Sequence, residues 1–277
     1  MTQAQPTETR FEFGQNWQNF AVKVTDAHVE RATQALAEAL RMPSLDGMTF
    51  LDVGAGSGIH SLAARRLGAT VHSFDYDLKS VACTQAMRDR FRPEDSGWTV
   101  EQGSALDEEY LERLGKFDIV YSWGVLHHTG EMWRALDLVE RRVKPGGTLF
   151  LALYNDQGMR SRIWTRVKKK YVESSPVGKK AILSAVRGYF GTVEALVRLA
   201  KGETPWRSDR GDRHRGMETK YDLVDWVGGF PFEVARPEQI FEFYRARGYR
   251  LDHLKTCGGG LGCNEFVFRR EANDHQN

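Results

Sequence analysis

Two adjacent histidines, His127 and His128, sit in the run WGVLHHT from Trp123 to Thr129. An imidazole titrates near neutrality, so either ring can take a proton from an attacking hydroxyl. The competing reading is that one ring caps the following helix and the other only packs. Tyr154 and Asn155 close a later apolar run, where they can orient an acceptor or satisfy backbone groups at a strand end. A glycine-rich stretch, LDVGAGSG from Leu51 to Gly58, places Gly54, Gly56 and Gly58 where a buried strand turns into a helix. Glycines there let the backbone approach a ligand closely, and the helix start supplies unpaired N–H groups. Asp75 follows Gly54 by 21 residues at the end of a second strand, a position from which a carboxylate can accept both hydroxyls of a ribose. Asp52 precedes the loop, within reach of a ligand amino group.

These residues need elements to hold them. MTFLDVG, ATVHSFDYD, the segment Trp98 to Gln102, KFDIVYSWGVL and TLFLALYN read as five strands. Helical patterns separate them, including IHSLAARRLG, LKSVACTQAMRDRF and the stretch Met132 to Val143. Alternating strands and helices mean parallel pairing with right-handed crossovers. A Lys144-Pro145-Gly146-Gly147 turn opens the fifth strand. After a helix over Pro237 to Gly248, YRLDHLKTC and CNEFVFRR are joined only by GGGLG, and so short a link permits an antiparallel hairpin but no crossover. The expected fold is α/β, a doubly wound, mostly parallel seven-stranded sheet with a final antiparallel strand. The dinucleotide fingerprint wants G-x-G-x-x-G; here the spacing is G-x-G-x-G, with Ile59 where that pattern wants a small residue.

The spacing, the acid at Asp75, the PGG turn at Pro145 to Gly147 and the closing antiparallel strand together resemble the class I S-adenosylmethionine (SAM)-dependent methyltransferases, over roughly residues 45–155 and 235–270. The resemblance implies SAM as cofactor, with Gly54, Gly56 and Gly58 along its aminoacyl end and ribose. It further implies Asp52 on the methionine ammonium, Asp75 on the ribose diol and Tyr76 along the adenine. Ser104, followed by Ala105, stands where many relatives carry an acid for the adenine amino group. Ser122 and Trp123 would pass the methionine part toward the substrate. SWGVLHH stands where the resembling nitrogen methyltransferases that act on nucleic acid and protein carry an Asn/Asp-Pro-Pro-aromatic motif; oxygen is the favoured acceptor atom, with carbon, nitrogen and sulfur left open.

Ligands in open α/β sheets lie at the carboxyl ends of the parallel strands, which makes the WGVLHHT loop, Tyr154, Asn155 and the Thr256 to Asn264 hairpin the expected substrate walls. Cys257 and Cys263 flank the glycines of that hairpin without further ligands at zinc spacing, so no metal site is expected. Glu265, between apolar neighbours, is expected to bind substrate or, preferentially, to pair with an arginine. Upstream, FEFGQNWQNF holds Phe11, Phe13, Trp17 and Phe20, read as an N-terminal lid that places Trp17 against the substrate.

The chain has 277 residues, 39 Lys or Arg against 37 Asp or Glu, and three cysteines. That balance excludes a histone-like polycation, and so few thiols argue against a secreted disulfide scaffold. No apolar run is long enough to span a bilayer, and the polar start lacks the middle of a signal peptide, so a cytoplasmic protein is expected. Charge is uneven, however: residues 157–232 hold sixteen Lys or Arg against eight Asp or Glu. The expected division is therefore an N-terminal segment 1–44, a SAM-binding core of 45–156 and 233–277, and a basic helical insertion 157–232 acting as substrate cap. Arg160 and Arg215 are the expected contacts to an anionic small-molecule or lipid-like acceptor. RNA is the less favoured partner, through aromatics interleaved with the cations, and peripheral membrane contact is a further possibility for the apolar spacing of Ile182, Val186, Tyr189, Phe190 and Val193.

Overall fold

The computed structural model describes residues 17, 21, 23–202, 219–258 and 262–272. The expected contacts of Phe11, Phe13, Phe20 and Arg215 lie outside the described residues. Helix α1 spans Asp26–Leu40 and buries Val29, Leu36 and Leu40, a seven-then-four spacing that keeps one helical face inward. Four βα steps and a fifth strand follow: β1 (Thr49–Val53), α2 (Ile59–Arg66), β2 (Thr70–Asp75), α3 (Leu78–Phe91), β3 (Trp98–Gln102), α4 (Glu108–Leu114), β4 (Phe117–Trp123), α5 (Met132–Glu140) and β5 (Val143–Tyr154). Helices α6 (Met159–Glu173), α7 (Pro176–Ala200) and α8 (Thr219–Gly228) come next, then α9 (Pro237–Arg245), β6 (Tyr249–Lys255) and β7 (Cys263–Arg270).

The strands form one seven-stranded sheet in the order β3-β2-β1-β4-β5-β7-β6. β7 runs antiparallel to both β5 and β6; it is last in sequence but sits inside the sheet, because a short hairpin from β6 folds back into the gap beside β5. β5 is longer than its apolar run suggests and absorbs the Pro145-Gly146-Gly147 turn, with a register slip opposite Phe117 and Ile119.

Side chains alternate faces along each strand, so the sheet carries two cores. Leu51, Val53 and Phe74 pack with Leu111 of α4, Leu136 of α5 and Tyr244 of α9. Phe50 and Val71 pack on the opposite face with Leu36 of α1, Leu62 of α2 and Met87 near the end of α3. Helices on both faces of a parallel sheet are the doubly wound arrangement, whose crevices open at the carboxyl ends of the strands.

The chain divides into two compact units, one comprising residues 12–161 and 231–277 and the other centred on residues 162–230. The sheet and its helices belong to the first. Within the second, Trp164 stacks on Phe190 at a centroid distance of 5.7 Å and meets Trp226 edge-on at 4.5 Å. Lys168 is fully buried there, its ammonium 4.4 Å from the Trp226 ring centre and hydrogen-bonded to the Trp226 carbonyl. Burial pushes its pKa down to about 7.

Candidate functional site

Between β1 and α2, Gly54, Gly56 and Gly58 all have positive φ, at 77°, 56° and 77°. Two of them are also held by close approach. A Cβ on Gly54 would stand 2.4 Å from Val125, and one on Gly58 would stand 2.9 Å from Thr84. Val125 comes from the loop after β4, so the glycine loop and the histidine loop pack directly on one another. Any side chain at Gly54 would both strain the backbone and separate the two loops.

Asp75 ends β2 beside this bend. Its Oδ2 accepts a hydrogen bond from the Gly56 amide and its Oδ1 one from the Asp77 amide, both at 3.0 Å. Burial nevertheless outweighs these bonds and pushes its pKa up to about 6. Asp52 lies beneath the loop, 2% exposed, and accepts from the Ser61 hydroxyl at the start of α2. Ser61 continues to Ser73, 2.7 Å away, which accepts from the Trp98 indole at 2.8 Å. Burial raises Asp52 to about 7, with the nearby Asp75 adding to the shift. Asp52 is thus committed to a buried polar chain that ties β1, α2, β2 and β3 together.

Tyr76 is 62% exposed, and its carbonyl accepts from the Gln102 amide group at 3.1 Å. The Ser104 hydroxyl accepts from the Leu106 amide at 3.2 Å and so is engaged in its own turn; Ala105 is buried in the core. Ser122 is buried and donates to the Val53 carbonyl at 3.1 Å, clamping β4 to the end of β1. Trp17, expected on the substrate, instead packs its indole against Gly56, where an added Cβ would be 3.1 Å away. Its carbonyl accepts from the Cys83 thiol at 3.3 Å.

The histidines differ in their surroundings. His127 is fully buried, its Nδ1 receives the Tyr154 amide at 3.4 Å, and its ring lies 4.1 Å from that of Tyr154. A neutral His127 therefore carries its proton on Nε2. His128 has the opposite tautomer: Nδ1 is 2.6 Å from the Pro231 carbonyl and must donate, which leaves the lone pair of the neutral ring on Nε2. Neither ring is the cap of α5. Glu233 performs that task, its two oxygens accepting from the Met132 amide at 3.1 and 3.0 Å.

At the far wall, Trp123, Ala152, Glu265 and Lys255 form one row across β4, β5, β7 and β6. The small Ala152 lets the Trp123 indole reach across β5 and donate to Glu265 at 3.2 Å, and Lys255 lies 3.8 Å from the other carboxylate oxygen. The expected arginine partner of Glu265 is thus replaced by an indole and a lysine. Asn264, which sequence reasoning did not single out, is 1% exposed and organises the hairpin. Its Oδ1 accepts from the Cys257 amide and its Nδ2 donates to Asn155 Oδ1, each at 3.0 Å. Burial raises the Cys257 thiol above its ordinary range, opposite to what an activated nucleophile requires. Arg160 is exposed in the first turn of α6.

The donor set suits SAM. Left-handed glycines bring backbone amides to the strand–helix bend, and a carboxylate sits beside them at the end of the next strand. Fold and site together define a class I SAM-dependent methyltransferase, with SAM as cofactor. A family described as a methyltransferase domain matches residues 26–234, and the chain belongs to that family. Among its relatives, the ubiquinone biosynthesis O-methyltransferase of Caulobacter vibrioides is 33% identical over 130 residues, covering 44% of this chain and 48% of that protein. Its namesake from Rhizobium leguminosarum bv. trifolii is 32% identical over 113 residues, covering 40% and 42%. The matched region is less than half the length of these relatives. The magnesium protoporphyrin IX methyltransferase of Synechocystis PCC 6803, solved with bound S-adenosylhomocysteine, superposes with a TM-score of 0.53 over 88% of this chain and 84% of its own. At 14% identity that likeness is one of fold.

Proposed function

We propose that this protein methylates a hydroxyl of a small, anionic or lipid-like acceptor, with His128 as general base. The observation that carries the reading is the His128 tautomer. Its Nδ1–H is held by the Pro231 carbonyl, so Nε2 is the basic nitrogen, in a loop that packs on the glycine bend through Val125. A carbonyl on Nδ1–H also fixes the tautomer and orients the ring. His127 is fully buried, with Nδ1 already accepting from Tyr154, and acts as the support on which His128 and Tyr154 pack.

When bound, SAM supplies a methyl group already activated by its sulfonium centre. The chain's own residues then have three tasks. Asp75 accepts the ribose hydroxyls, and the glycine bend receives the aminoacyl end. Tyr154 and Asn155 orient the acceptor, with Asn155 Oδ1 fixed by Asn264. His128 Nε2 removes the hydroxyl proton as the oxygen attacks, so that alignment and one proton transfer account for the rate. Glu265, Cys257 and Arg160 are assigned to the acceptor side.

The names of the relatives support a hydroxyl acceptor. The packing of Trp164, Phe190 and Trp226 on one another supports a small molecule over RNA, since rings so engaged are not a platform for bases. A labelled-methyl assay against phenolic, carboxylated and prenylated hydroxyl compounds, with tRNA in parallel, tests the proposal. Label on a hydroxyl compound that is lost in His128→Ala supports it; label on tRNA alone overturns it.

A further inference from the structure

Helix α7 is twenty-five residues long and begins with a Ser175 cap followed by Pro176. Its described side chains include one buried residue, Val186. The inward side is marked by Val186 and by Phe190, which stacks on Trp164. All its charged residues, Lys179, Lys180, Arg187, Glu194 and Arg198, fall within less than half of the circumference at 100° per residue. The remaining arc carries no charge, and on it Val177 is 78%, Tyr189 45%, Leu196 60% and Leu199 56% exposed. Large apolar side chains presented at helical spacing along one exposed arc exceed the scattered surface hydrophobes of ordinary proteins. Small residues between them, Ala181, Ala185 and Gly188, keep this arc smooth.

The border of the arc is cationic. Lys180 and Arg187 are exposed beside it, and Lys201 follows the last turn. The single acid of the helix, Glu194, is held by Arg198 at 3.1 Å. We propose that α7 docks on an anionic phospholipid surface, its uncharged arc among the upper acyl chains and Lys180, Arg187 and Lys201 at the headgroups. Charge decides between occupants: a second copy of this chain would bring the same cations against themselves, whereas a phosphate-bearing surface neutralises them. No described helix is long and apolar enough to cross a membrane, which makes α7 a surface element. Docking there would bring the enzyme to acceptors dissolved in the bilayer.

The test is co-sedimentation of the full chain with vesicles of equimolar phosphatidylcholine and phosphatidylglycerol, with pure phosphatidylcholine vesicles alongside. The wild type is expected to pellet with the anionic vesicles and to be released by high salt. Leu196→Glu combined with Leu199→Glu, and separately Lys180→Glu combined with Arg187→Glu, should each weaken partition roughly tenfold or more. Val177→Ser at the other end of the arc gives a milder loss and guards against a folding defect, which circular dichroism melting would reveal. Failure to bind anionic vesicles, or unchanged binding in both double variants, overturns the proposal. So does a lipid-free dimer, seen by analytical ultracentrifugation, that the leucine substitutions dissolve.

Discussion

The Asp75 carboxylate and the Gly56 amide, 19 positions apart in the chain, meet at 3.0 Å and lock the end of β2 to the glycine bend. One side chain thereby shapes the loop and stands beside it as the expected ribose acceptor. Asp75→Ala should weaken SAM binding by about 1–3 kcal/mol, the range for a lost buried hydrogen-bonding partner. Calorimetric titration checks this, and unchanged affinity would remove Asp75 from the cofactor site.

The same carboxylate makes binding depend on pH. Its pKa in the folded, ligand-free protein is about 6, and hydroxyl donors favour the ionised form. SAM affinity should therefore fall as pH drops through about 6, and Asp75→Asn should show a weaker, flatter profile over the same range.

Asp52 predicts a stability effect of definite sign. Its folded pKa, about 7, lies above the ordinary aspartate value, so the folded state holds this proton more tightly than the unfolded chain. The stability it contributes is full below the unfolded pKa and declines as pH rises to about 7. Asp52→Asn keeps an oxygen for Ser61 and should flatten that decline, by about 2–4 kcal/mol between acid and neutral pH. Denaturant unfolding of the ligand-free protein across this interval is the measurement.

The two histidines should separate by phenotype. His128→Ala should lower kcat roughly a hundredfold or more, with SAM affinity and melting temperature retained, as loss of a general base requires. His127→Ala removes a fully buried ring and should instead lower the melting temperature. Full turnover in His128→Ala would reject it as the base.

Asn264→Leu keeps the volume but removes the hydrogen bonds that Asn264 makes with the Cys257 amide and with Asn155. It should cost about 1–3 kcal/mol of stability and raise KM for the acceptor more than for SAM. Equal effects on both KM values would place Asn264 in general folding and not in orienting Asn155.

Much of this protein was readable from local patterns. Strand–helix alternation, the G-x-G-x-G bend and Asp75 are short-range features, because a parallel sheet needs its crossovers and a positive-φ bend needs glycine wherever it occurs. The hairpin was likewise evident from the brevity of GGGLG. What local pattern could not supply was partnership between distant residues. Glu233 caps α5 from 101 positions away, Trp123 reaches Glu265 across 142, and His128 takes its tautomer from Pro231, 103 positions on. Side-chain type and period determine which face of an element is buried and where a bend must lie. Which nitrogen is basic, which acid is paired and which strand fills the gap beside β5 depend on groups that only folding brings within 3 Å or so of each other, and the tertiary structure alone decides them.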